Sequence, residues 1–210
     1  MKRSSNLKKS SKYHHGNLKE EMLQLALETI SKEGIEVLTL KFLSDKLNTS
    51  RSAIYRHFSS KQDLIQNVIA YGFNLFEETL IPTLNKNNGT VLERLSAMSD
   101  SYLDFAINNP NLYRVLFGEK YQDIRENTCT LADKNIEDSF TLLIMLLEEG
   151  KEKDILKIEN SFLQAQTIHA LIHGIAILYI DGHINIKNNI NELYKISFDS
   201  LLNGIKKQKN

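Results

Sequence analysis

Thr49-Ser50-Arg51-Ser52-Ala53-Ile54-Tyr55-Arg56-His57-Phe58-Ser59-Ser60-Lys61 is the stretch on which the fold turns. It reads as a short helix, a sharp break and the capped start of another helix. Ser50 can accept a hydrogen bond from the first turn of the short helix, and Ser60 with Asp63 has the spacing of a capping box. Ile54 and Phe58 lie one turn apart and can anchor the segment to a core. Arg51, Ser52, Tyr55 and Arg56 are then left on outer faces, and His57 and Lys61 flank the break. Arginine and hydroxyl groups suit base edges and phosphates. An ordinary surface helix is the plainer alternative, and the residues on either side weigh against it.

Upstream, Asn17 and Glu20 have capping-box spacing, and Met22, Leu25, Ala26, Thr29 and Ile30 repeat at three and four residues along one helical face. Gly34 stands where a left-handed C-terminal cap is expected. Thr39 can cap a second helix whose buried stripe is Leu40, Leu43 and Leu47. Asn48 then makes a tight turn, since asparagine tolerates positive φ. Two short helices across such a turn, braced by a longer one, form a helix-turn-helix unit whose second helix enters the major groove of DNA.

The run Leu47-Asn48-Thr49-Ser50, then Ala53 to Phe58, then Lys61, Asp63 and Leu64, resembles the N-terminal domain of the TetR/AcrR family of transcriptional regulators. The resemblance covers roughly residues 15–65. It departs at Asn48-Thr49, where the family more often has Gly and a small apolar residue. It implies that Thr39 and Lys41 start the second helix near the DNA backbone, with Lys41 able to reach a base. Arg51 and Ser52 fall where base-edge readers sit, Tyr55 packs on phosphate, sugar or a thymine methyl, and His57 and Lys61 hold phosphates. Arg56 joins them as a further donor on the outer face.

Charge is split along the chain. Residues 1–61 hold twelve Lys and Arg against six Asp and Glu, whereas the remainder holds 14 against 20. A basic lobe joined to an acidic one points to a polyanion partner for the first lobe only. The expected organisation is a flexible basic arm at 1–14, a helix-turn-helix domain at 15–61, and a helical ligand-binding and dimerisation domain at 62–210. No run reaching the roughly 18 apolar residues of a membrane span is evident, nor is a secretory signal. The single cysteine, Cys129, cannot form an internal disulfide, which suits a cytoplasmic location.

The rest reads as helix, so the fold class expected is all-α with about nine helices. A helix over 61–81 ends at Pro82. Others are expected over 90–108, from Pro110 to Gly118, over 120–149 with a stop at Gly150, over 154–181, and over 188–207. Residues 168–182 are apolar nearly all round, which predicts burial on every side. With the last helix they can pair with a second copy of the chain, giving a homodimer that reads a palindromic operator. This region also resembles the C-terminal domain of a TetR subgroup marked by Trp-x-x-x-His-Gly. His173-Gly174 match the His-Gly, and His169 stands in the Trp position.

In that family the C-terminal domain binds a small molecule that releases DNA. Candidate lining residues are Tyr102, Phe105, Tyr113, Phe117, His169 and His173, apolar surface with a few polar tips. The same aromatics can instead be plain core. His169 and His173, four apart, could ligate a metal with Asp181 or His183, but further ligands are wanting, so neither metal nor cofactor is expected. Asp181, Glu148 and Glu149 read as cap and surface charges. The expected function is a dimeric repressor released by an effector, not an enzyme. The alternatives are a nonspecific DNA-binding helical protein and a metal-dependent helical enzyme using His169 and His173.

Overall fold

A computed structural model describes residues 18–85, 89–128, 138–184 and 190–207. Asn17, Cys129 and the 1–14 arm lie outside the described residues. The protein is all-α: the described residues hold ten α-helices and two short 3-10 turns, with one isolated antiparallel bridge between Leu156 and Lys206.

The first lobe is built from local signals. Helix α1, Leu18–Glu33, buries Met22, Leu23, Ala26, Thr29 and Ile30. Gly34 donates its N–H to the Ile30 carbonyl at 3.0 Å and sits at φ 84°, ψ 167°, a conformation open essentially to glycine alone. Helix α2, Leu40–Lys46, opens on Thr39, whose hydroxyl accepts from the Phe42 N–H. Asn48 turns the chain at φ 49° into α3, Arg51–Tyr55, where Ser50 accepts from the Ala53 N–H. Phe58 lies beyond α3 but shares its anchoring role with Ile54, and both are fully buried.

Helix α4, Lys61–Leu84, runs without interruption from this lobe into the next. Ser60 caps it by accepting from the Asp63 N–H. The expected reciprocal bond is displaced by one residue, because the Asp63 carboxylate accepts from the N–H and hydroxyl of Ser59. Pro82 does not end the helix as expected, for α4 continues to Leu84, two residues past it. A proline removes one donor but not its neighbours' helical φ, and so is least costly close to a helix end.

The second lobe packs α5, Val91–Asn108, and α6, Pro110–Phe117, against α4. At Gly72 of α4 a Cβ would stand 2.9 Å from a Leu116 methyl, so the glycine permits close approach of α6. A 3-10 turn at Glu119–Tyr121 leads to α7, Gln122–Thr128, and α8 spans Ser139–Glu152. The single helix expected over 120–149 is therefore divided. Gly150 lies inside α8, where a Cβ would come within 2.5 Å of Leu156; it serves packing rather than termination.

Helix α9 is Ser161–Ile180, beginning well after the expected residue 154. Asp154 adopts φ 59°, and the N–H groups of Ile155 and Leu156 both donate to the Gly150 carbonyl, reversing the chain. The segment then bonds to the C-terminal end through Lys157 N–H to Ile205 O and Lys207 N–H to Ile155 O. Helix α10 is Ile190–Ile205.

Burial of α9 is one-sided, contrary to expectation. Within residues 168–182, Ile168 and Ile172 are fully buried, while Leu178 is 44% exposed, and α9 as a whole packs on α5, α8 and α10. By length and composition α9 is apolar enough to cross a membrane, with mean hydropathy 1.3 over 18 residues, so the expectation that no such run exists fails. Here it is a helix of the fold, and its His173 is hydrogen-bonded to Tyr113.

Candidate nucleic-acid interface and effector cavity

Helix α3 is one and a half turns long and held from beneath by Ile54 and Phe58. That leaves its remaining side chains outside. Thr39, Lys41, Arg51, Ser52, Tyr55, Arg56, His57 and Lys61 are all exposed, Tyr55 to 56% despite its large ring. Among the described residues none of the four cations in this set is held in an ion pair. Their donors are therefore free for phosphate or base edges, with no internal partner to give up. Thr39 has its oxygen committed to the α2 cap and can still donate its hydroxyl proton. Ser52 is 2.9 Å from the Ser50 hydroxyl, which fixes its side chain at the first turn of α3.

The first lobe meets the second through more than α4. The Asn111 side-chain amide, on α6, donates to the Ser31 carbonyl of α1 at 3.0 Å. Lys120 pairs with Glu36, both exposed, which lowers the Glu36 carboxyl and raises the Lys120 ammonium in pKa. Arg114 ties α6 to the end of α9, donating at 2.8 Å to the Asp181 carboxylate and at 2.5 Å to the Ile180 carbonyl. Asp181, read from sequence as a cap charge, is thus an ion-pair partner as well.

Between α4, α5, α8 and α9 lies a cavity of about 460 Å³. Of the six candidates, Tyr102, Phe117 and His169 line it, together with Phe73, Phe76 and Phe140. Phe105, Tyr113 and His173 do not. Phe105 packs on Phe76 at 5.1 Å between ring centres, and Tyr113 is fully buried between Tyr102 and His173. These three support the wall. The Tyr102 and Tyr113 hydroxyls are 2.9 Å apart, and the Tyr113 hydroxyl is 2.6 Å from His173 Nδ1. Burial pushes both phenols up in pKa, so the chain of protons stays in place. Burial lowers His169, helped by the charge of His173, and burial lowers His173 too. Both rings are neutral at pH 7, since the ordinary value is already near 6.5.

The charged member of the wall is Glu77 of α4. Its carboxylate accepts from the Ser139 N–H at 2.6 Å and the Ser139 hydroxyl at 3.0 Å, the first residue of α8. Burial raises its pKa, and these bonds oppose the rise. Sequence reasoning missed Glu77, Phe73, Phe76, Ser139 and Phe140. A signal existed: Phe73, Phe76, Glu77 and Leu80 share one face of α4, and an acid amid an apolar stripe marks either a pair or a cavity. Among the described residues no group of three or more His, Cys, Asp or Glu could hold a metal ion.

Residues 22–68 match the family model of the bacterial regulatory proteins of the tetR family. Residues 95–201 match that of the tetracyclin repressor-like C-terminal domain. The chain belongs to the TetR family. As a TetR-family protein it is a DNA-binding transcriptional regulator, and the exposed donors of α3 lie within the first matched region. Among curated relatives, the nucleoid occlusion factor SlmA of Vibrio vulnificus strain YJ016 is 30% identical over 158 residues, 72% of this chain and 79% of that one. The SlmA of Alteromonas mediterranea is 28% identical over 172 residues, 80% and 83% of the two chains. Among solved structures, a protein of unknown function from Rhodococcus sp. RHA1 superposes with a TM-score of 0.77 at 22% identity. It covers 94% of this chain and 100% of that one, a likeness of fold.

Proposed function

We propose that this TetR-family regulator is a cytoplasmic homodimeric repressor. Its first lobe, residues 15–61, reads a palindromic operator, and a small molecule entering the cavity of the second lobe, residues 62–210, releases it. Arg51 reads a base edge, with Ser52 and Lys41 beside it. Thr39, Tyr55, Arg56, His57 and Lys61 set register on the backbone. The observation that carries the reading is the set of eight exposed donors on one lobe, joined by a continuous helix to a lobe with a ring-lined cavity.

Dimerisation through α9 and α10 is supported by the apolar side chains they leave exposed in the single chain: Phe162, Leu163, Leu178 and Ile196. Large apolar side chains left exposed on two neighbouring helices suit an interface. His173-Gly174 favours the Trp-x-x-x-His-Gly subgroup. A Cβ at Gly174 would meet nothing within 4 Å in the single chain, which suits a glycine kept for a second copy. Release requires only that the effector prefer one of two head spacings. The Asn111–Ser31 and Arg114–Asp181 contacts would carry the shift between cavity and head.

Competition of the best duplex against unrelated DNA, at near-physiological salt, tests this. A specificity ratio of about 10³ or more is expected, whereas a ratio near one with steep salt dependence would leave only nonspecific phosphate binding. The likeness to nucleoid occlusion factors favours a second reading, in which the chain binds DNA as a nucleoid-associated protein rather than at one promoter. Mapping bound sites in cells separates the two.

A further inference from the structure

We propose that the cavity selects a lipophilic cation, an onium or protonated aromatic amine whose charge sits against Glu77 among the rings of α4, α5 and α8. The inference rests on the sensing role proposed above and adds the chemical class of the effector.

The cavity's charge inventory drives it. Among the described residues lining the space there is no lysine or arginine, and the one formal charge is the Glu77 carboxylate. That carboxylate lines the space and is anchored by Ser139, whose N–H and hydroxyl each donate to one of its oxygens. The donors belong to the N-terminal end of α8, which favours the ionised form. A carboxylate ligand would face Glu77 across a low-dielectric gap with no counter-charge to receive it. His169 offers no substitute, because its buried ring is neutral at pH 7 and presents a lone pair or a single N–H.

The rings act in the same direction. Phe76 meets Tyr102 at 5.0 Å and 86° and Phe117 at 5.4 Å and 72°, and Phe73 meets Phe117 at 5.5 Å and 83°. These edge-to-face pairs set neighbouring rings at steep angles to one another, and Phe140 adds another ring to the wall. A cation held near aromatic faces and a carboxylate is attracted by both, and an anion by neither. At about 460 Å³ the space falls in the range of small-molecule sites.

The probes are tetraphenylphosphonium and tetraphenylborate, which share shape and apolar area and differ in sign. Calorimetric titration of the full chain, free of DNA, should show the phosphonium binding at least about tenfold tighter. Glu77→Gln should remove most of that preference, while Ser139→Ala, which deletes a hydroxyl but no charge, should keep it. The wild-type comparison stands even if Glu77→Gln does not fold. Equal affinities, a preference for the borate, or no binding of either ion overturns the inference. If a neutral aromatic then still released DNA by occupying the cavity, sensing would survive and only the cation would be lost. If nothing that fills the cavity altered DNA binding, the sensing role itself would fall.

Discussion

Removing Glu149 should destabilise the second lobe far more than its position near the end of a helix suggests. Arg94 is 1% exposed, and one guanidinium nitrogen lies 2.5 Å from the Glu149 carboxylate. A second reaches the Leu84 carbonyl at 3.5 Å, and Nε has no partner. Glu149, read from sequence as a surface charge, is therefore the counter-charge of a buried cation. Breaking such a pair by deleting one member costs about 3–5 kcal/mol, because the remaining charge stays buried and unpaired. Lys153 also bonds Glu149 at 2.7 Å, but its side chain is 60% exposed, so Lys153→Ala should cost no more than about 0.5 kcal/mol.

Hydrogen bonds from Lys153 and Arg94 hold the Glu149 carboxyl below its ordinary 4.5. The unfolded chain thus binds its proton first on acidification. The stabilisation is complete above pH 4.5 and disappears as pH falls through the folded value. Urea unfolding followed by circular dichroism at neutral pH measures the cost. Glu149→Ala should lower the midpoint with little change in slope, and Arg94→Met with Glu149→Leu should recover much of the loss. A cost below about 1 kcal/mol for Glu149→Ala would mean that water reaches Arg94, and would refute the reasoning.

Arg51→Ala should relax base preference at one position per half-site by about 1–3 kcal/mol, whereas Lys61→Ala should weaken all duplexes alike and reduce the salt slope by about one unit per monomer; binding across sequence variants and salt separates them. Phe58→Ala removes a fully buried ring and should cost about 3–5 kcal/mol, abolishing DNA binding before the second lobe unfolds; retained operator affinity would show that α3 needs no such anchor. His169 and His173 are depressed in the fold, so the unfolded chain takes up more protons and stability should fall as pH drops below about 6.5. Glu77, raised by burial, works in the opposite sense at lower pH. Unfolding at pH 7.5 and 5.5 should show a loss that His169→Gln reduces, and an unchanged loss in that variant would assign it elsewhere.

Much of the first lobe was legible because its signals are short-range. Ser50, Thr39 and Ser60 each cap the helix that follows, Asn48 and Gly34 take positive φ, and Ile54 and Phe58 face inward. Where long-range packing decides, sequence reading fell short. Whether an aromatic faces a cavity or a neighbour depends on elements far apart in the chain, so Phe105 and Tyr113 turn out to be supports, while Phe73 and Phe140 are wall. The Arg94–Glu149 pair spans 55 residues and leaves no local pattern. The break before α9 is made by Asp154 at positive φ and by the Gly150 carbonyl accepting twice, with neither proline nor glycine in residues 151–157. The apolar circumference of α9 predicted full burial, but a single chain covers only one side of it.

Selection of duplexes from a random pool by the purified chain, at near-physiological salt, tests the central claim most directly. The expected result is enrichment of a palindrome with half-sites about one helical turn apart, lost in Arg51→Ala. A pool that stays unenriched while bound DNA dissociates with rising salt would contradict a sequence-reading dimer.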